Sequence, residues 1–169
     1  MRSEVFQPLG MTATAIGTGK GLRNAATRYD AAMKPLAFYD FDHRGASAVY
    51  TSAHELVRFA MFHLEDHLRD QRAILADSTI AMMQRPQAPG DTSVGYALGW
   101  AIDKDNGYRR ISHTGGMPGV NTTVSLYPDA DVAIVVLSNQ SSRVPFDVSA
   151  EIASIVLPGY GIACRSRSS

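Results

Sequence analysis

Cysteine is nearly missing from this chain, with one residue, Cys164, in 169. A single cysteine excludes an intrachain disulfide framework and a cysteine-based zinc site. No His or Lys stands beside Cys164 in sequence to favour its thiolate, so it reads as a spare thiol in a tail. A surplus of charge is missing too. The 16 basic and 16 acidic residues cancel, which leaves no electrostatic grip on nucleic acid or anionic lipid. No stretch approaches the ~20 apolar residues that span a bilayer, so no membrane span is expected. Met1 to Met11 lack a basic segment leading into a long apolar core and do not read as a signal peptide. That leaves a cytosolic protein, or one whose export signal lies on sequence absent here. What is present, 45% hydrophobic and 19% charged residues, is the composition of an ordered globular chain long enough for one domain or part of one.

Residues 1–50 show weak periodicity and many small residues, with Gly17, Gly19 and Gly21 close together and Pro35 beyond. They read as irregular chain with turns. Ser52-Ala53-His54-Glu55 has the form of a capping box, in which the serine oxygen and the glutamate each satisfy a free N–H of a first helical turn. Leu56, Phe59, Ala60, Leu64 and Leu68 follow at helical spacing. A shorter helix is expected from Asp77 or Ser78 to just before Pro86. From Val94 the pattern becomes that of strands: Val94 to Ile102, then Tyr108 to His113 after an Asn106-Gly107 turn, then an alternating run from Val120 to Tyr127. Val132 to Leu137 is continuously apolar, as expected of a strand buried on both faces. A last helix is expected from about Pro145 to Leu157, with a disordered tail from Arg165. Helices, then antiparallel strands, then a helix imply an α+β fold, an antiparallel sheet with flanking helices.

The chemically informative segment is Ser112-His113-Thr114-Gly115-Gly116-Met117-Pro118-Gly119. Glycines after a strand let a ligand approach the main chain, and backbone N–H groups exposed there are the parts of an oxyanion hole. On this segment alone, a glycine-rich turn with an incidental histidine is the plainer explanation.

Other segments change that weighting. Phe6-Gln7-Pro8-Leu9-Gly10-Met11-Thr12-Ala13-Thr14, Thr51-Ser52-Ala53-His54-Glu55-Leu56-Val57-Arg58-Phe59, Tyr96-Ala97-Leu98-Gly99-Trp100, His113-Thr114-Gly115-Gly116 through Gly119, and Tyr127-Pro128-Asp129 with Val135-Val136-Leu137-Ser138-Asn139 recur in one order. In that order and spacing the chain resembles the serine β-lactamase-like, penicillin-binding-protein-like hydrolases, the group of class C β-lactamases, esterases and D-aminopeptidases. The resemblance runs from Phe6 to about Pro158. It implies the C-terminal portion of a β-lactamase-like (DD-peptidase) fold over residues 1–158, a flexible tail over 159–169, and a small-molecule acyl substrate. It implies no cofactor and no metal. For a full-length form it implies the periplasm or cell envelope.

Members of that group carry a Ser-x-x-Lys that supplies nucleophile and base, a Tyr-x-Asn that relays protons, and a Lys-Thr-Gly or His-Thr-Gly strand. Only the third is found here. Three residues before Lys20, Lys34 and Lys104 stand Gly17, Ala31 and Ala101, and no Tyr-x-Asn occurs. The resemblance assigns His113 a hydrogen bond to a substrate carboxylate or tetrahedral intermediate, Thr114 a hydrogen bond to substrate, and Gly115 and Gly116 the oxyanion edge, with Gly116 N–H as one of two donors. The missing serine would supply the other donor. Ser52 of Tyr50-Thr51-Ser52 falls where the group has a helix cap and is read as one.

Three weaker signals point elsewhere. His63 and His67 stand at i, i+4, but fit neither zinc-protease helix pattern and read as an exposed polar helix end. Gly17-Thr18-Gly19-Lys20-Gly21 lacks the first glycine and the final hydroxyl of a phosphate loop. Asn121-Thr122-Thr123 fits a glycosylation acceptor formally but reads better as strand.

Two functions are therefore expected, in order. The first is the C-terminal portion of a serine acyl hydrolase for ester, β-lactam or small amide substrates, inactive alone for want of a nucleophile. Its strand at 132–137 would have an open edge and an exposed apolar face, inviting association with another chain. The second is a non-catalytic binding or regulatory domain derived from the same fold, which would need the first 50 residues to fold back over that edge.

Overall fold

Apolar and β-branched residues in alternation from Ile102 onward build the centre of the molecule, an antiparallel sheet. The protein is seen here in a computed structural model that describes residues 1–17, 22, 24–39, 43–89 and 95–161. The sheet has six strands in sequence order: β3 (Ala88–Pro89), β4 (Gly95–Tyr96), β5 (Ala101–Asp105), β6 (Tyr108–Met117), β7 (Val120–Tyr127) and β8 (Val132–Ser138). Before it come a π-helical turn (Arg2–Phe6), a small ladder of β1 (Ala15–Ile16) with β2 (Val49–Tyr50), and three helices: α1 (Arg44–Ser47), α2 (Ala53–His63) and α3 (Asp77–Met83). Helix α4 (Val144–Val156) closes the described chain, near the expected bounds. The α+β expectation is met.

Asn106 and Gly107 form the β5–β6 hairpin with φ of 47° and 91°. Two consecutive positive φ values are what a two-residue turn matched to strand twist requires, and Asn-Gly tolerates them. Asp105 and Tyr108 pair across the turn. The register then places Ile111 opposite Leu126, and both are fully buried. Alternation assigns the two faces of the sheet. Ile111, Leu126, Ala133 and Val135 pack with Trp100, Phe59 and Ala60 under α2. Tyr127, Val132, Ile134 and Val136 pack with Ala153 and Leu157 of α4 on the other side.

Several expectations need correction. The run from 94 to 102 is two strands, because Gly99 at φ 79° reverses the chain and Ala97 N–H donates to Trp100 O at 2.7 Å; Val94 lies outside the described residues. The strand from Tyr108 does not stop at His113. Gly115 and Gly116 stay extended and pair with Thr122 and Asn121, carrying β6 to Met117. Helix α2 ends at His63, and the left-handed Glu65 (φ 65°) turns the chain away before Leu68. The capping box at Ser52 is half formed: Ser52 Oγ accepts from Glu55 N–H at 3.2 Å, but the Glu55 carboxylate reaches elsewhere. The exposed apolar face expected of β8 is absent, since both its faces are covered by α2 and α4 packing. Its edge position holds, because β8 ends the sheet. Cys164, residues 165–169 and Thr18 to Gly21 lie outside the described residues.

Candidate functional site

The expected site residues His113, Thr114, Gly115 and Gly116 lie together on the distal half of β6. Strand β5 pairs with β6 from Tyr108 to Ser112 and no further. From His113 to Met117, β6 is held by β7 on one side, with His113 opposite Val124, Thr114 opposite Thr123, Gly115 opposite Thr122 and Gly116 opposite Asn121. The other side has no strand partner among the described residues. In an antiparallel ladder, alternate residues direct their N–H and C=O to opposite edges. A row of main-chain donors and acceptors therefore faces outward beside His113, Thr114 and Gly116, all of which are exposed.

Glycine at position 115 is dictated by close approach, since a Cβ there would stand 2.6 Å from Thr122 Oγ1. Alternation puts His113 on the α2 side with Ile111, and Thr114 on the α4 side. Two side chains on opposite faces reach a common ligand only if it lies along the open strand edge between them.

The far end of this edge is pinned by contacts the motif alone does not disclose. Gly119 N–H donates to Ser141 Oγ at 2.7 Å, and Asn121 Nδ2 to Ser142 O at 2.6 Å. Tyr39 OH donates to Pro118 O. The Arg28 guanidinium lies over the Tyr39 ring, 4.5 Å from its centroid, and donates to Tyr50 OH at 2.5 Å. Gly119 has φ 72°, and a Cβ on it would meet Arg28 Cβ at 2.6 Å. Residues 28–39 thus fold back over the β6–β7 turn. Tyr29 also bridges Gln140 just past β8, with Tyr29 N–H donating to Asn139 O at 2.9 Å. In the sequence, Gly119 is the one signal of this packing.

The supporting motifs occupy structural positions. Glu55 Oε1 accepts from Ala13 N–H at 2.7 Å and Oε2 from Thr14 Oγ1 at 2.5 Å, while Arg58 Nε donates to Leu9 O at 2.9 Å. Trp100 lies 6.4 Å from Phe59, ring centre to ring centre. Ser52 caps α2, as expected. His63 is not the exposed helix end that its spacing suggested. It is 4% exposed, packed 4.5 Å from Phe59 and 5.2 Å from Trp100, and burial pulls its pKa down to about 4. His67 is off the helix, bonded to Asp77 at 2.7 Å. No cluster of three metal-ligating side chains occurs among the described residues.

Among the described residues, the two serines nearest the β6–β7 turn carry no activating base. Ser141 Oγ is taken up by Gly119, and Ser142 Oγ is buried with no hydrogen-bond partner, so no base addresses it.

The sequence model of the Beta-lactamase family matches residues 1–156. The chain belongs to that family. Among curated proteins it is 25% identical over 183 residues to Penicillin-binding protein 4 of Amycolatopsis lactamdurans, covering 94% of this chain and 47% of that protein. Among solved structures it matches a penicillin-binding protein from Bacillus halodurans at TM-score 0.75 and 20% identity, covering 91% of this chain and 48% of the other. An octameric penicillin-binding protein homologue from Pyrococcus abyssi also matches at TM-score 0.75, with 19% identity over 94% of this chain and 37% of the other. At such identities the structural likeness establishes the β-lactamase fold. The chain spans about half the length of the curated relative it matches. No helix among the described residues is long and apolar enough to cross a membrane.

Proposed function

We propose that this chain is the His-Thr-Gly half of a serine acyl hydrolase, the C-terminal part of its domain over residues 1–158, and that it does not turn over substrate alone. The observation that carries this reading is a strand edge at His113 to Met117 left open among the described residues, in a sequence that holds no Ser-x-x-Lys. An acyl substrate laid along the edge hydrogen-bonds to main-chain groups, with Gly116 N–H polarising the carbonyl oxygen. His113 and Thr114 flank it from the two faces and fix its polar end. Gly115 keeps the strand flat against Thr122. Attack on the carbonyl requires a hydroxyl whose proton is taken by a neighbouring base. The reading therefore calls for a second polypeptide segment bearing Ser-x-x-Lys and Tyr-x-Asn, docked against the edge of β8 by strand addition.

The test combines a covalent probe with reconstitution. A fluorophosphonate or penicillin probe is expected to label no side chain of this chain alone, and p-nitrophenyl acetate turnover is expected at the buffer rate. Co-expression with an N-terminal half from a penicillin-binding-protein-like relative is expected to yield labelling on that half's serine. His113→Ala should then lower kcat/KM by about 10²-fold, the size of losing one positioned polar group. Mass-spectrometric mapping of the probe to any residue of this chain would sink the proposal.

A further inference from the structure

A second concave site lies at the opposite end of β6. Arg109 precedes His113 by four residues, about 13 Å along a strand rising ~3.3 Å per residue, and shares its face of the sheet. Here the end of α2, the end of α3 and the start of β6 enclose a cavity of about 420 Å³ walled by His63, Glu65, Gln84, Arg85, Arg109 and Pro128.

Arg109 is held in place but its donors are not used up. Arg109 is fixed by Nη2 donating to Gln84 O at 3.0 Å, and Gln84 Nε2 in turn donates to His63 O at 2.6 Å. The other guanidinium N–H groups of Arg109 have no protein partner among the described residues, and neither does the side chain of Arg85. His63 is more than nine-tenths buried, and its Nδ1 has no hydrogen-bond partner. The unused guanidinium donors of Arg85 and Arg109 line this cavity and are the parts of an anion site, while His63 Nδ1 is sealed from solvent behind its wall. The charge count narrows the ligand. Two guanidinium groups against one Glu65 carboxylate leave a single positive charge on the wall. Asp129 faces the Arg109 main-chain N–H at 3.1 Å and does not line the cavity.

We propose that this cavity binds the carboxylate of a small organic acid, gripped between Arg85 and Arg109. One negative charge balances the wall, and the planar fork of arginine matches a carboxylate. The site is separate from the strand edge at His113, so it stands whether or not the acyl-hydrolase reading does.

The test follows the arginine Nε–Hε resonances of the full chain by NMR during titration with acetate, and separately with inorganic phosphate, with chloride holding ionic strength constant. Acetate is expected to shift Arg85 and Arg109 saturably and in parallel. Arg85→Gln should weaken acetate binding about tenfold, as expected for loss of one charge-assisted contact. Arg85→Lys should weaken it less, and His113→Ala should leave it unchanged. Non-saturable shifts, tighter binding of phosphate than of acetate, or an Arg85→Gln variant with wild-type affinity would each overturn the proposal.

Discussion

Glu55 ties together two segments 41 and 42 residues apart, with one oxygen on Ala13 N–H and the other on the buried Thr14 hydroxyl. Glu55 is only 6% exposed. Removing it breaks both bonds, leaving the part-buried Ala13 N–H unpaired and the buried Thr14 hydroxyl with only Thr51 Oγ1, 2.7 Å away, and a hydrogen bond to a charged group is worth about 1.5–3 kcal/mol. Glu55→Ala is therefore expected to lower unfolding stability by at least about 2 kcal/mol, and Glu55→Gln by less because its amide oxygen still accepts one bond. Urea titration of both variants checks this; equal stabilities in all three proteins would contradict it. His63 supplies a pH signature. Its folded pKa of about 4 lies below the ordinary 6.5 because burial disfavours the imidazolium. The unfolded chain then binds more protons between those values. The contribution is present in full above pH 6.5 and is lost as the pH falls toward 4, about 3 kcal/mol across the window. His63→Phe keeps a ring against Phe59 and Trp100 but cannot titrate. Its urea midpoint should fall less steeply than the wild type's between pH 6.5 and 4, and parallel curves would refute the assignment.

At the scale of elements, the motifs legible in the sequence turn out to do different kinds of work. Phe6 to Thr14, Ser52 to Phe59 and Tyr96 to Trp100 meet one another through Glu55, Arg58 and the Phe59–Trp100 contact. They hold α2 against the sheet. His113 to Gly116 stands instead where β6 runs on past the end of β5, while Val135 to Ser138 lies on the terminal strand β8. Sequence spacing could not separate these roles, because a carboxylate and an arginine pointing at backbone 42 and 49 residues away look like any helix surface. Residues 28–39 were illegible for a related reason: their placement rests on Gly119, Ser141 and Asn139, contacts too distant for periodicity to reveal. Position 119 tests this packing. Its left-handed backbone alone costs a non-glycine residue about 1–2 kcal/mol, and a Cβ would press on Arg28 Cβ at 2.6 Å and Tyr29 N at 3.1 Å. Gly119→Ala is expected to lower Tm by several degrees and to release residues 28–39, seen as faster amide exchange at Tyr29 and Leu36. Unchanged exchange at those two amides would show that the turn does not clamp the segment.

On the scale of the whole molecule, the sheet is well covered on its faces and open at its end. Among the described residues β8 pairs with β7 alone, and Tyr29 reaches only as far as Gln140, just beyond it. Helix α4, which packs on β8, exposes Val144, Ile155 and Val156, with Ile155 76% exposed. An unpaired strand next to apolar side chains is a surface prone to recruit another chain. The two features make separable contributions, since a charge on α4 removes apolar area without touching the main-chain ladder. Ile155→Glu faces solvent and should change unfolding stability by no more than about 0.5 kcal/mol. It should nevertheless reduce concentration-dependent association in sedimentation velocity. Association that persists undiminished in Ile155→Glu would assign it to the β8 edge alone. A wild-type chain that stays monomeric at every concentration would show that neither feature recruits a partner, and would weaken the case for a docked second segment.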